Sequence, residues 1–326
     1  ASTAKLIEKA LTAEQAALDV SKKIRKSDGA TVATEVSQFY MANSRGFAGG
    51  YPSSDHHISV SPIAQEKKSK NSPMYRDFWY SSELDPKKLA KPASIGKTAA
   101  ERALARMGAR KISTRQCPVL FEPRMAAGLI RHFLGAISGG AQFRESSFLL
   151  NSLGQQAWAS HLTIKEDPFI PGGRGSSPFD GEGVKVKART LLKSGVVNGY
   201  LLNTYSARKL DMKSTGNDGG AHNLLVSSKQ TVPGGFKAML KKMGTGLLVT
   251  EAMGQGVNSV TGDYSRGAFG YWVENGAIVH PVEEITIAGN LKDIYMGLVA
   301  IGDDFEWVGN KWVSSMLIEQ MTVAGN

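Results

Sequence analysis

Residues 251–276 constrain this chain more than any other stretch. They run Glu-Ala-Met-Gly-Gln-Gly-Val-Asn-Ser-Val-Thr-Gly-Asp-Tyr-Ser-Arg-Gly-Ala-Phe-Gly-Tyr-Trp-Val-Glu-Asn-Gly and hold six glycines. Gly254, Gly256, Gly262 and Gly267 recur at short spacings around Asn258, Asp263 and Arg266. Glycine reaches positive φ without penalty and lets another backbone come close. A segment of this kind suits turns and hairpins, and it leaves room for a peptide or a neighbouring strand at hydrogen-bonding distance. The whole chain shares the bias. Its 36 glycines in 326 residues exceed the usual ~7%, and with only 12 prolines the composition is that of a β-rich fold rather than a disordered one.

The remaining composition narrows the class. A hydrophobic content of 41% supports a sizeable core, and the length suits one large or two ordinary domains. The single cysteine, Cys117, excludes an internal disulfide and fits a reducing compartment. It lies in the apolar run Cys117-Pro-Val-Leu-Phe121 and reads as a buried structural thiol. No apolar run approaches the ~20 residues of a membrane span, and the N-terminus has no signal-peptide core, so a cytoplasmic location is expected. The net charge of +10 is uneven. Residues 1–124 carry 21 Lys+Arg against 12 Asp+Glu, whereas residues 125–326 carry 18 against 17. A basic half can mark nucleic-acid binding. Here the charges are scattered, apart from a Lys67-Lys68-Ser-Lys70 loop, and no DNA-reading motif accompanies them, so nucleic acid is not the expected partner.

Along the chain, residues 4–24 have helical apolar spacing (Leu6, Ile7, Ala10, Leu11, Ala17, Leu18). Residues 30–64 alternate in short runs broken at Gly46, Gly49-Gly50 and Pro52, which predicts antiparallel hairpins. An aromatic strand is expected over 74–80 and a helix over 95–107 with Gly108 as its cap. A second unit begins near Arg115, with a strand over 117–121 and a helix over 123–136. Pro123 sits in that helix's first turn, and Gly139-Gly140 is expected to end it. Residues 142–154 read as a connection and 167–180 as a Pro/Gly-rich loop. Residues 184–205 read as paired strands around Ser194-Gly195, and 236–243 as a short helix. Strands follow at 247–250, 267–273, 277–279 and 285–287. There is no tandem repeat.

The sequence carries few familiar site motifs. There is no G-x-S-x-G elbow. Gly254-x-Gly256 lacks the third glycine and acidic partner of a dinucleotide fingerprint, and Gly244-Thr-Gly246 falls short of a P-loop. His56 and His57 are adjacent in an extended segment and point to opposite faces. His161, His222 and His280 are isolated, and no local spacing assembles a zinc site.

Three dense patches carry a resemblance that spans nearly the whole chain. They are Ser146-Ser-Phe-Leu-Leu-Asn-Ser-Leu-Gly154; Leu201-Leu-Asn-Thr-Tyr-Ser-Ala-Arg-Lys-Leu210 with Lys213-Ser-Thr-Gly-Asn217; and the stretch from Met243-Gly-Thr-Gly246 through Glu284-Ile-Thr-Ile-Ala-Gly-Asn-Leu-Lys292. The chain resembles the PmbA (TldE) branch of the TldD/PmbA family. The resemblance implies an α+β fold, β-rich with mostly antiparallel sheets and a few packed helices. It implies a central α+β region over 1–114 and a β-rich C-terminal domain over 115–326. Family members usually carry an additional N-terminal α/β region, and the gene product is expected to start further upstream than Ala1.

In the TldD branch the helix matching 123–140 carries H-E-x-x-x-H, whose histidines bind a catalytic zinc and whose Glu is general base. Alignment on Arg144-Glu-Ser-Ser-Phe148 places Ile130, Arg131 and Gly135 at those three positions. Ile and Gly offer no side-chain ligand, and Arg is no base at neutral pH. His132 remains, without a second ligand at helical spacing. The resemblance therefore implies a subunit with no catalytic residues and no metal of its own. It pairs with a TldD-like catalytic subunit that supplies zinc, in a cytosolic complex that degrades unfolded peptides and removes leader segments from ribosomally made, microcin-type peptides. Backbone recognition as an added strand singles out the 253–270 block. The candidate peptide- or partner-binding residues are Gly254, Gly256, Asp263, Tyr264, Arg266, Tyr205 and Arg208, each of which also has a purely structural reading. Two alternatives stay open: a peptidase active alone through dispersed residues, and a regulator of DNA gyrase acting by binding, for which the family names record a link. A homodimer of the isolated chain is compatible with the general prevalence of symmetric oligomers.

Overall fold

The computed structural model of the protein describes residues 2–67 and 71–325, so most of the Lys67–Lys70 run falls outside the described residues. The chain divides into two compact units, Ala1–Ala109 and Arg110–Asn326.

The first unit pairs two helices with one sheet. Helix α1 (Thr3–Leu18) leads to strands β1 (Ile24–Ala42), β2 (Ala48–Ala64), β3 (Tyr75–Arg76) and β4 (Trp79–Glu83), and helix α2 (Pro92–Ala105) closes the unit. The expected helix over 4–24 stops at Leu18, because Ile24 is claimed by the sheet, where it opens β1 opposite Ala64. The several hairpins expected over 30–64 are one long antiparallel ribbon, in register from Ile24↔Ala64 to Ala42↔Ala48. Only Gly46 serves its turn. Gly49, Gly50 and Pro52 lie inside β2, opposite Met41, Tyr40 and Gln38. Gly50 is there because a Cβ would meet the Phe39 carbonyl and the Tyr40 ring. The aromatic strand expected over 74–80 is split in two at Asp77, a buried carboxylate that takes Arg102 Nε at 3.2 Å and Arg106 at 3.4 Å. The α1–α2 contact is equally specific: a Cβ on Gly96 would run into the Ala13 carbonyl, so a glycine lets the helices touch. Ala13, Ala17, Ile58, Val60, Ile95 and Ala99 fill the core beneath them.

The second unit holds two sheets. In chain order its elements are β5 (Arg115–Phe121), α3 (Pro123–Ala136), α4 (Gly139–Phe143), β6 (Leu162–Asp167), β7 (Arg189–Lys193), β8 (Val196–Val197), α5 (Thr204–Lys209), β9 (Asn223–Ser228), β10 (Thr231–Val232), α6 (Gly235–Met243), β11 (Gly246–Met253), β12 (Asp263–Glu274), β13 (Ala277–Asn290), α7 (Leu291–Met296), β14 (Leu298–Gly302), β15 (Glu306–Val308), β16 (Lys311–Val313) and β17 (Met316–Ala324). One sheet runs β15-β16-β9-β6-β7-β8 and the other β10-β14-β17-β13-β12-β11-β5. In the latter, β17 also pairs with β5, so the run from β17 through β13, β12 and β11 to β5 closes on itself. Pairing is antiparallel except for β5–β11, β10–β14 and β9–β16.

Three expectations change here. Gly139-Gly140 does not end α3, whose last helical residue is Ala136 with Ile137 as C-cap; Ser138 Oγ accepts from Ala141 N–H at 3.3 Å and starts α4 at Gly139. The paired strands expected over 184–205 shrink to β7 and β8, and Tyr205 belongs to α5. The runs at 277–279 and 285–287 are one strand, β13. The apolar face of α3 (Ala126, Leu129, Ile130, Phe133) joins Val119, Phe121, Leu247, Ile287 and Ile318 in one continuous core. Trp158 stacks on the fully buried Tyr295 with ring centroids 3.9 Å apart, and the Tyr295 hydroxyl donates to the Leu129 carbonyl of α3 at 3.0 Å. Among the described residues no helix is long and apolar enough to cross a membrane.

Candidate functional site

Helix α3 decides what its motif positions can do. Its buried stripe follows helical spacing, with Ala126, Leu129, Ile130, Phe133 and Leu134 facing the core. Residues four apart share a helix face, so Arg131 and Gly135 fall together on the exposed side. The three positions matched to H-E-x-x-x-H are thus separated: Ile130 is fully buried, whereas Arg131 and Gly135 line a cleft.

That cleft, about 580 Å³ in volume, lies between the α3–α4 corner, helix α5 and the loop 217–221. Such a volume suits a small ligand or a few residues of peptide. The α4 and α5 walls touch closely. Gly139 N–H donates to the Leu201 carbonyl at 2.8 Å, and a Cβ on Gly139 would come within 2.6 Å of Ser206 Cβ. Helix α5 starts with a reciprocal cap, Asn203 Oδ1 accepting from Ser206 N–H at 2.9 Å and Ser206 Oγ from Asn203 N–H at 3.2 Å. Tyr205 stands at the rim, 55% exposed, its ring edge-on to Phe143 at 5.5 Å. Arg208, a turn further on, is exposed and does not line the cleft.

A buried polar network lies behind Asn217 of the lining. Glu166 is 1% exposed. Its Oε2 accepts from Arg189 Nε at 2.8 Å, and its Oε1 from Asn217 Nδ2 at 2.8 Å and His222 N–H at 2.9 Å. Arg189 also donates to the Tyr200 carbonyl and to Asn217 Oδ1. Asn217 Nδ2 reaches the Gly220 carbonyl at 3.0 Å, which ties the Gly219–Gly220 wall, where both glycines have positive φ, to the network. Sequence reasoning did not single out Glu166, Arg189 or His222 as a unit. Asn217 lay inside a recognised patch, and Asn-Asp-Gly-Gly is a turn signal, but nothing linear connects it to Glu166.

The charges facing the cleft are mostly cationic. Arg131 makes no ion pair or hydrogen bond among the described residues. Arg144 lies over the Phe143 ring at 5.1 Å and against Gly140. Lys311 is near enough to Arg131 that its ammonium is held below the usual lysine range, first by burial and then by that guanidinium. The one carboxylate on the lining, Asp218, already accepts from Asn203 Nδ2 at 3.1 Å.

The glycine-rich block lies elsewhere and differs from the expectation. β12 pairs with β13 from Asp263 to Glu274 and with β11 over Gly267–Val273, and ahead of Gly267 its other side is met by the chain's own Gly256–Val257 segment, through the Val257–Tyr264 bridge, so it offers no free sheet edge to a peptide. Gly256 serves the fold, since a Cβ there would collide with the Ser265 carbonyl, whose own N–H donates to the Gly256 carbonyl at 2.6 Å. Gly254 supplies a positive φ of 80°. Asp263 accepts from Thr261 Oγ1 at 2.6 Å and from Asn290 Nδ2 at 3.3 Å, which fastens the turn to the end of β13. Arg266 donates to the Met253 and Ala252 carbonyls. Tyr264 is buried, and that burial pushes its hydroxyl pKa up to about 12 against the opposing pull of Arg266. It meets His132 of α3 edge-on at 6.0 Å, and burial together with Arg131 and Arg266 takes the imidazole down to about 4. Gly256 and Asp263 border a shallower hollow of about 430 Å³. The structure therefore brings Arg131, Gly135 and Tyr205 into one cleft and leaves Gly254, Gly256, Asp263, Tyr264, Arg266 and Arg208 outside it.

The residues present do not fit a zinc ion. A catalytic zinc takes three protein ligands from imidazole, thiolate or carboxylate groups. Among the described residues no group of three or more His, Cys, Asp or Glu is placed to hold a metal. His161 is engaged by Ser228 Oγ at 2.7 Å and the Leu298 carbonyl at 2.8 Å, and His222 faces the Gly216 carbonyl at 2.9 Å. The Cys117 thiol is buried, and burial pushes its pKa up despite Arg115, so it stays protonated.

Comparison with known proteins agrees on one lineage. Residues 1–107 match the PmbA/TldA metallopeptidase central domain, and residues 114–325 match the C-terminal domain of the same metallopeptidases. The chain is 46% identical over 319 residues to Metalloprotease PmbA of Escherichia coli O157:H7, covering 98% of this chain and 69% of that protein. The crystal structure of a putative modulator of DNA gyrase from Bacteroides thetaiotaomicron superposes with a TM-score of 0.92 at 28% identity, over 100% of this chain and 72% of that one. TldE from Thermococcus kodakarensis shares the fold at a TM-score of 0.84 and 20% identity, over 100% of this chain and 75% of that one.

Proposed function

This chain belongs to the PmbA/TldD metallopeptidase family, and from that premise we propose that it is the non-catalytic subunit of a two-subunit zinc peptidase. One observation carries the reading: where the TldD branch places its zinc ligands and base, this chain has Ile130 sealed in the core and Arg131 and Gly135 on the wall of a cleft. The one carboxylate on that cleft, Asp218, is held by Asn203 Nδ2, and among the described residues it belongs to no group of three or more donors placed to hold a metal. The relatives bear the name metalloprotease, and the proposal reconciles that name with this chain by placing zinc and the hydrolytic step in a TldD-like partner. The role left to this subunit is to hold the partner and present unfolded or leader peptides to it.

The test is zinc content and cleavage of an unfolded peptide by the pure chain, by a TldD-like partner, and by their mixture. The expected result is neither stoichiometric zinc nor cleavage for the chain alone, and chelator-sensitive cleavage for the mixture. Stoichiometric zinc with chelator-sensitive cleavage by the pure chain would overturn the reading.

A further inference from the structure

We infer that the α3–α5 cleft is a binding site for the carboxylate of an extended peptide, held by Arg131 and Arg144. The inference rests on the reading that this subunit handles peptides, and it names the chemistry by which it would do so.

Two observations lead there. The first is the charge balance of the cleft wall. Arg131 and Arg144 line it from α3 and the end of α4, and neither is neutralised by a carboxylate among the described residues. Arg189, which reaches the lining only through Asn217, is matched by Glu166. Asp218 is engaged by Asn203 and pressed against Gly181, where a Cβ would collide with its Oδ2. The lining thus carries unmatched guanidinium charge. A guanidinium presents a planar fork of N–H donors suited to a carboxylate.

The second observation is the shape. Gly135, Gly219 and Gly220 have nothing within 4 Å of where a Cβ would stand, so a main chain can approach the wall closely there. Gly140 leaves the space that the Arg144 guanidinium occupies, with its nitrogens 3.1 and 3.3 Å from where a Cβ would be. Tyr205, exposed at the rim, offers an aromatic face beside the opening. A site built from bare backbone and two guanidinium groups recognises a peptide's carboxylate and is indifferent to most of its side chains. Two sources share that chemistry, a free C-terminus and an acidic side chain.

Binding to the pure, metal-free chain separates them. Fluorescence anisotropy would use three N-terminally labelled peptides of one apolar-polar sequence: one with a free C-terminal carboxylate, one amidated and lacking any acidic residue, and one amidated with a single internal Glu. At least one carboxylate-bearing peptide is expected to bind about tenfold or more tightly than the carboxylate-free one, and which one identifies the source. Arg131→Gln and Arg144→Gln are each expected to bring that ratio towards one, while Lys229→Gln, exposed and outside the cleft, leaves it unchanged. The preference should also weaken with added salt. Equal affinity for all three peptides, no binding of any, or a ratio untouched by both cleft variants overturns the inference. These outcomes are read without zinc or turnover, so they leave the non-catalytic reading standing, and failure of that reading leaves them intact.

Discussion

Removing Arg189 should be among the most damaging single changes in the second unit. Its Nε lies 2.8 Å from Glu166 Oε2, and Glu166 is 1% exposed. At an effective dielectric of about 20, two unit charges at that separation attract by about 6 kcal/mol. Desolvation of both groups cancels much of this, but deleting one partner leaves a buried carboxylate uncompensated, which costs about 3–5 kcal/mol. Arg189→Met should fall near the lower end, because Asn217 Nδ2 and His222 N–H still donate to Glu166 Oε1. Glu166→Gln keeps an acceptor for those two donors and removes the charge. The double variant Glu166→Gln/Arg189→Met should therefore be less damaged than the sum of the singles by about 2 kcal/mol. Isothermal denaturation followed by tryptophan fluorescence reports on this unit, since four of the five tryptophans (Trp158, Trp272, Trp307 and Trp312) lie in it. A loss below about 1 kcal/mol for Arg189→Met, or strictly additive singles, would refute the claim that this pair anchors the network behind Asn217.

Two further outcomes follow from local geometry. Gly135→Ala has nothing within 4 Å of the new Cβ and sits in a helix, so it should raise the denaturation midpoint by about 0.4–1 kcal/mol of stability; Gly256→Ala, which drives a Cβ into the Ser265 carbonyl, should lower it by about 1–3 kcal/mol. A loss for the first or neutrality for the second would contradict the packing described. His132 titrates at about 4 when folded against 6.5 for a free imidazole, so between those pH values the unfolded state binds more protons and stability falls as pH drops. A sealed ring would lose about 3 kcal/mol over that window; half-buried and screened, His132 should cost about 1–2. Denaturation midpoints at pH 7 and pH 4 should differ by that much more in the wild type than in His132→Gln, and parallel profiles would remove His132 as the cause.

The local signals of this chain were readable wherever neighbours in sequence decide the outcome. The span of α3 follows from Pro123 and its apolar stripe, and β5 and the burial of Cys117 follow from the run at 117–121. The family follows from three patches and the missing zinc donors on α3. The strands of the glycine-rich block were also legible, but the role of its glycines was not. Close approach of a backbone is what Gly256 permits, and only the fold shows that the backbone is the chain's own, at Ser265.

Tertiary structure settled the rest, because the deciding partners are far apart in sequence. Ile24 leaves the helical pattern for Ala64 across the ribbon, and β12 loses its edge to β11 and β13. Glu166, Arg189 and Asn217 become a unit only when β6, β7 and the 217–221 loop meet in a dry interior, where an unpaired charge is too costly to leave. Residue spacing alone could assign Arg131 to one face of a helix. That Arg144, Tyr205 and Gly219 share its cleft is a property of the packing. Helical periodicity repeats over a few residues, whereas a site drawn from four segments has no period to read.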